Sequence, residues 1–286
     1  MTPNPPDAPE DAPPRPAANT LRAYAQDWAE FARWCRGRGA DPLPPAPELI
    51  GLYLADLAAP SAAGKARALS VASIARRLSG LVWGYARRGF TLDRKDHRIA
   101  TVLAGIRRDH ARPPVQKTAI RPEDIAAMVA TLPHDLRGLR DRAILLIGFA
   151  AALRRSEIVS LDCGRGDGPG PGGRIEIREG GVLVTLRGKT GLRVIEIARD
   201  AHDRICPVRA LEQWLHFAKI DRGPIFVAVS RDGRRALPDR LGDKHVARLV
   251  KQTVEAAGLR PDLPAAERTR LYSGESLRGA LPRGPG

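Results

Sequence analysis

The sequence predicts a mainly α-helical protein with an all-α N-terminal domain and a C-terminal α+β domain that contains a small three-stranded antiparallel sheet. Two observations predict this class: apolar residues recur at helical spacing through most of the chain, and only residues 174–197 alternate like strands. The length of 286 residues suits about two domains. The elements therefore divide into a helical first part and a mixed second part.

The first part begins with a tail and continues as helices. Residues 1–18 contain seven prolines, which predicts a disordered segment. Residues 19–112 then predict a domain of four helices. They start near Thr20, near residue 47, after a Ser70 cap and near residue 96.

The second part follows a linker predicted at residues 113–120, and it occupies residues 121–286. Pro122 is well placed in the first turn of a helix, and a strongly apolar helix follows at 140–152. Three strands are predicted around two glycine-containing turns, and two helices come after them. The strands are 174–178, 182–186 and 192–197, and the helices are 207–219 and 243–257.

Charge gives the first indication of function. The formal net charge is +15, and residues 65–112 alone hold 12 basic and 3 acidic residues. Such a dense basic segment is typical of nucleic-acid binders, although a generally arginine-rich chain would also be basic. On the third predicted helix, Arg76 and Arg87 are 11 residues apart, and so are Arg77 and Arg88. Eleven residues is about three turns, so the two members of each pair share a face. The candidate DNA-binding residues are Arg76, Arg77, Arg87, Arg88, Arg107 and Arg108.

Other classes of protein are disfavoured. The longest apolar run, 143–153, is far shorter than the roughly 20 residues of a membrane span. Cys35, Cys163 and Cys206 show no paired spacing, which argues against a disulfide framework or a zinc site and fits the cytoplasm. The histidines show no metal spacing either. We therefore expect a cytoplasmic protein without a membrane segment or a metal.

Three motifs carry chemistry. In residues 148–161, Gly-Phe-Ala-Ala-Ala-Leu-Arg-Arg-Ser-Glu-Ile-Val-Ser-Leu, Arg154 lies where an apolar helix gives way to an amphipathic one. Lys189 lies in the turn between two predicted strands, and Arg278 closes Ser-Gly-Glu-Ser-Leu-Arg at 273–278. In this order the motifs resemble box I, the hairpin lysine and box II of the tyrosine recombinase (phage integrase) family, in its Xer-like form.

The resemblance covers about residues 19–278 and implies both fold and function. The helical domain would be the family's SAM-like core-binding domain, and the α+β domain its catalytic domain. The implied reaction is site-specific DNA strand exchange through a 3′-phosphotyrosyl link, with no metal, nucleotide or other small-molecule cofactor. Arg154 and Arg278 would clamp the phosphate and Lys189 would protonate the leaving oxygen, while Glu157 orients Arg154 or caps its helix.

The sequence departs from the family pattern in two places. Glu275 stands where box II usually has histidine, and a carboxylate there would repel a phosphate. The nucleophilic tyrosine expected after Arg278 is absent from the sequence. We therefore expect a catalytic domain that is truncated after box II, which raises the hypothesis of a frameshift or a pseudogene.

These departures lead to an expectation of DNA binding without normal strand cleavage. The partners would be double-stranded DNA and other recombinase protomers. The alternatives are a non-catalytic DNA-binding module that competes with an intact recombinase, a pseudogene product without function and, more distantly, a type IB topoisomerase. Truncation would also leave apolar surface exposed on the helix at 140–152, so we expect a marginal, association-prone domain.

Overall fold

The structure, a computed structural model, describes residues 18–59, 68–110, 116–164, 172–188, 191–200 and 204–280. The chain divides into two compact units, residues 1–114, called the helical unit below, and residues 115–286, called the mixed unit. Residues 1–17 of the expected tail, linker residues 113–115 and Lys189 lie outside the described residues.

The mainly α-helical class is confirmed, and the four helices expected at the N-terminus are present. They are α1 (Ala18–Arg36), α2 (Pro47–Ala58), α3 (Val71–Ala86) and α4 (His97–His110). Ser70 caps α3 as expected, because its hydroxyl accepts a hydrogen bond of 3.2 Å from the Ser73 amide. Large buried side chains, among them Phe31, Tyr53 and Tyr85, fill the space between the helices.

Two glycines of α3 let α1 approach closely. A Cβ atom at Gly84 would lie 2.2 Å from the Trp28 ring, and one at Gly80 would lie 2.7 Å from an Asp27 carboxylate oxygen. Both distances are far below contact, so no larger residue fits without moving α1. This glycine surface lets Trp28 bury its ring, which is 8% exposed, and form an edge contact with Tyr85.

The described part of the mixed unit contains six α-helices and a 3₁₀ helix. They are α5 (Pro122–Ala130), α6 (Leu136–Ala150), α7 (Arg155–Ser160), α8 (Pro207–Ala218), α9 (Asp243–Ala256), α10 (Ala265–Leu271) and the 3₁₀ helix Gly274–Ala280. The strands are β1 (Leu161–Cys163), β2 (Gly173–Arg178), β3 (Gly181–Gly188), β4 (Gly191–Ala198), β5 (Gly223–Pro224), β6 (Val227–Val229) and β7 (Ala236–Arg240).

The three expected antiparallel strands are β2, β3 and β4, and they form a continuous ladder. The structure extends that ladder to a sheet of order β4-β3-β2-β1-β5, in which β1 pairs parallel to β2. β1 and β5 are only three and two residues long, too short to show alternation in the sequence. A separate hairpin joins β6 and β7.

The apolar helix of the mixed unit is not exposed, which corrects an expectation from the sequence. Residues 143–148 of α6 are all buried, and Ile144 and Ile147 are completely inaccessible. The helix lies against α8, α5, α9 and the 3₁₀ helix, which cover it on several sides. The marginal, association-prone domain expected from the sequence therefore has no basis in this helix.

The glycine surface of α3 gives a stability prediction. Gly84→Ala should lower the free energy of unfolding of the helical unit by about 1–3 kcal/mol, because the added methyl group overlaps the Trp28 ring. Urea unfolding followed by tryptophan fluorescence measures this, since Trp28, Trp34 and Trp83 all belong to this unit.

Gly105→Ala is the matched control for that substitution. Nothing lies within 4 Å of a Cβ at Gly105, so alanine there should stabilise α4 by about 1 kcal/mol through helix propensity alone. Equal effects of the two substitutions would contradict the close approach of α1 to α3.

Candidate functional site

Arg154 lies at the N-terminus of α7, in the turn that joins α6 to α7. Its amide donates a hydrogen bond of 2.7 Å to Glu157 Oε2, and its guanidinium Nη1 donates one of 2.8 Å to Glu157 Oε1. Glu157 therefore does both things that the sequence offered as alternatives, since it caps α7 and orients Arg154. The side chain of Arg154 remains 52% exposed, so its guanidinium is accessible from solvent.

Arg278 lies on the 3₁₀ helix and also pairs with a carboxylate three residues away. Its Nη1 donates a hydrogen bond of 2.8 Å to Glu275 Oε2, and Glu275 is 57% exposed. The Arg278 Nε atom is buried and has no hydrogen-bond partner among the described residues. The neighbouring Leu277 is fully buried, which fixes the helix to the core of the mixed unit.

The segments that carry these two arginines meet at Gly148 of α6. A Cβ there would lie 2.7 Å from Ile158 Cδ1 of α7 and 3.2 Å from Leu277 Cδ1 of the 3₁₀ helix. A second close approach joins the same two segments, because a Cβ at Gly274 would lie 3.1 Å from the Arg155 Cβ. The fold thus brings box I and box II into contact from positions more than 100 residues apart.

The end of the β3–β4 hairpin also reaches this region. Lys189, which follows β3 in the sequence, is outside the described residues, but the flanking pair Gly188 and Gly191 is in register. Arg193 of β4 places Nη2 3.4 Å from Glu157 Oε2. Arg193 was not among the candidate residues chosen from the sequence. The signal that could have found it is a charged residue in a strand whose alternate positions, 195 and 197, are apolar.

The expected phosphate contacts of the helical unit fall into two groups. Arg76 makes a bidentate ion pair with the buried Asp27, and Arg77 pairs with Glu30 and donates a 3.1 Å hydrogen bond to the Tyr53 hydroxyl. The side chain of Arg77 is only 16% exposed. The side chain of Arg76 is 45% exposed, but both guanidinium groups are engaged with carboxylates of the unit, and their contact with DNA stays a prediction.

The second group lies on the surface. Arg88 stacks 4.0 Å above the Trp28 ring and donates to the Gly84 carbonyl, and Arg87 lies 5.3 Å from the Trp83 ring centre. Stacking fixes the guanidinium plane while leaving its edge open to a phosphate. Two further exposed arginines end α4: Arg107 and Arg108.

Residues 116–120, which enter the mixed unit, are bonded to its C-terminal part. The Thr118 amide donates 2.9 Å to the Leu271 carbonyl, and the Ile120 amide donates 3.0 Å to the Ser276 carbonyl. These bonds lie on both sides of Tyr272, which is 2% exposed. The entering segment thus holds the start of the 3₁₀ helix that carries Arg278.

Comparisons with known proteins identify the family. An integrase/recombinase described as a XerD homologue from Selenomonas ruminantium is 32% identical over 271 residues, which is 92% of this chain and 72% of that protein. A tyrosine recombinase of Synechococcus elongatus is 29% identical over 84% of this chain and 70% of that protein. A tyrosine recombinase XerC of Methylobacterium nodulans is 33% identical over 50% of this chain and 44% of that protein. No protein-family model matches.

The chain belongs to the tyrosine recombinase family and is Xer-like. The resemblance drawn from the three motifs is therefore confirmed at the level of the family. Among the described residues, no helix is long and apolar enough to cross a membrane.

The ion pair at box II gives a prediction about DNA affinity. Glu275→Gln should tighten binding of a fluorescently labelled DNA duplex by roughly 1.5- to 5-fold, because the neutral side chain no longer competes with phosphate for Arg278. Fluorescence anisotropy at constant salt measures the dissociation constant.

Glu176→Gln is the matched control. It removes a carboxylate that also pairs with an arginine, Arg178, at 3.4 Å and on the surface of the sheet. The Glu176 variant reports the general effect of one added unit of charge. A Glu275 variant that gains no more than this control would contradict a phosphate site at Arg278.

Proposed function

We propose that this polypeptide binds double-stranded DNA as a tyrosine recombinase and holds one phosphodiester between Arg154, Arg278 and Lys189 without forming a covalent bond to it. The meeting of box I and box II at Gly148 is the observation that carries the proposal. The proposal concerns the 286 residues of this sequence.

The chemistry of the two arginines supports a phosphate site. Guanidinium is always charged, and its planar donors match the non-bridging oxygens of a phosphodiester. Arg154 is half exposed, and the buried Nε of Arg278 has an unused hydrogen bond to donate. A bound phosphate would supply an acceptor that the described residues do not.

The four tyrosines support the absence of covalent chemistry. Tyr53, Tyr85 and Tyr272 are each no more than 2% exposed, and burial raises the pKa of all three hydroxyls, which disfavours the phenolate. Tyr24 belongs to the helical unit, where its ring packs 6.1 Å from Trp83. Tyr272 precedes the 3₁₀ helix that carries Arg278, but its side chain is buried.

Surface arginines of the helical unit would supply further phosphate contacts. Arg87, Arg88, Arg107 and Arg108 are exposed and could each neutralise a phosphate on binding, although Arg108 would first have to share or give up its 3.0 Å ion pair with Asp109. Arg76 and Arg77 would contribute by holding α3 against α1 through their ion pairs. Of the six arginines chosen from the sequence, four would therefore contact phosphates and two would stabilise the packing of α3 on α1.

A trapping experiment tests the absence of covalent chemistry. The protein is incubated with a library of nicked suicide duplexes in which a cleaved strand cannot religate, and an intact tyrosine recombinase on its own site serves as the positive control. We expect bound DNA in a native gel and no covalent adduct in a denaturing gel. A protein–DNA adduct that maps to any tyrosine would overturn this part of the proposal.

Salt dependence tests the phosphate contacts. Arg154→Ala and Arg278→Ala should each reduce the slope of log affinity against log salt by about 0.9, because one phosphate is no longer neutralised. The Arg107→Ala/Arg108→Ala variant should lose about twice as much slope. Arg178→Ala, a surface arginine paired with Glu176, is the control for loss of charge. Slopes unchanged at both Arg154 and Arg278 would refute the site.

A further inference from the structure

The carboxylate of Glu157 has three donors, and one of them comes from a different part of the chain. Oε1 accepts from the Arg154 guanidinium, and Oε2 accepts from the Arg154 amide. Oε2 also lies 3.4 Å from Nη2 of Arg193, which is 36 residues away in the sequence. The side chain of Glu157 is 21% exposed and thus partly shielded from water, whereas those of Arg154 and Arg193 are 52% and 44% exposed.

The register of the sheet explains why Arg193 reaches Glu157. Arg193 pairs with Leu186 of β3, which is 2% exposed, so Arg193 belongs to the face of β4 that also presents Ile195 and the buried Ile197 to the core. At Arg193 this face runs past the edge of the core and meets the start of α7. Arg193 thus has a charged side chain on the face of β4 that is otherwise apolar, and from there it reaches Glu157.

Charge gives Arg193 a second effect. Arg154 and Glu157 alone form a neutral pair, and a neutral pair attracts a phosphate only weakly. Arg193 adds a positive charge to the same carboxylate, so the three side chains together carry a net charge of +1. Arg193 is also a second donor to Oε2, beside the Arg154 amide, which further limits rotation of the carboxylate and therefore the orientation of the Arg154 guanidinium bound to Oε1.

We propose that Arg193 is a positioning residue, which acts through Glu157 to hold the Arg154 guanidinium toward a DNA phosphodiester. This inference rests on the proposed function, because it assumes that Arg154 binds phosphate. It assigns Arg193 no contact with DNA of its own. The β3–β4 hairpin is thereby tied to box I by a side chain close to its turn.

A double-mutant cycle tests this role with a fluorescently labelled duplex. Arg193→Ala alone should weaken binding by roughly 2- to 10-fold and reduce the salt slope, because Arg154 loses its orientation. In the Arg154→Ala background the same substitution should have a clearly smaller effect, no larger than the general loss of one positive charge that the Arg178→Ala control measures. Additive losses would show an independent DNA contact and would overturn the proposal, as would an Arg193→Ala variant that binds like the unaltered protein.

Three further substitutions separate positioning from folding and from charge. Arg193→Lys keeps the charge and should recover part of the loss, whereas Arg178→Ala removes a charge from the far end of the same sheet and should lack coupling to Arg154. In a Glu157→Gln background, Arg193→Ala should have less effect than in the unaltered protein, and an undiminished effect would overturn a route through Glu157.

The cycle also separates this inference from the proposed function. If Arg154→Ala leaves affinity and slope unchanged, the phosphate site itself is refuted. If Arg154→Ala weakens binding and Arg193→Ala does so independently or not at all, only the role of Arg193 fails. Urea unfolding of each variant, followed at Trp214 in the core of the mixed unit, confirms that the domain remains folded.

Discussion

The close packing of two segments on Gly148 is the constraint on which the rest of the mixed unit depends. Because Gly148 has no side chain, Ile158 and Leu277, which follow it by 10 and 129 residues, can both pack close to the backbone of α6. Ile158 is four residues from Arg154, and Leu277 is adjacent to Arg278. Burial of each apolar side chain therefore fixes the position of the neighbouring arginine. The hydrophobic core, rather than any attraction between the charges, brings two mutually repelling cations into one region.

Ion pairs with carboxylates offset the electrostatic repulsion between Arg154 and Arg278. Arg154 pairs with Glu157 and Arg278 with Glu275, in each case three residues along the same short helix. The two carboxylates differ in their surroundings. Glu157 is shielded and shared between two arginines, whereas Glu275 is exposed and has a single partner. A phosphate would therefore displace Glu275 more easily than Glu157, which keeps a structural role as a helix cap.

Periodicity and turn chemistry predicted most of the helices and the three long strands, because those elements bury one face over several repeats. The short strands β1 and β5 were not predicted, since their pairing depends on neighbours that are distant in the sequence. Sequence alone also misjudged α6, whose burial requires α8 and the 3₁₀ helix to fold over it. Arg193 was missed for a related reason: only the sheet register shows that its side chain reaches Glu157. The basic rows of α3 were visible, but the carboxylates that engage Arg76 and Arg77 lie on α1.

The backbone bonds from Thr118 and Ile120 to Leu271 and Ser276 join the two extremities of the described mixed unit. Neither extremity can fray alone, since release of one leaves the amides or carbonyls of the other without partners. Hydrogen exchange at these two amides would then report a single cooperative opening. Residues 116–120 are in this way part of the support beneath Arg278, so a displacement of this segment would act directly on box II.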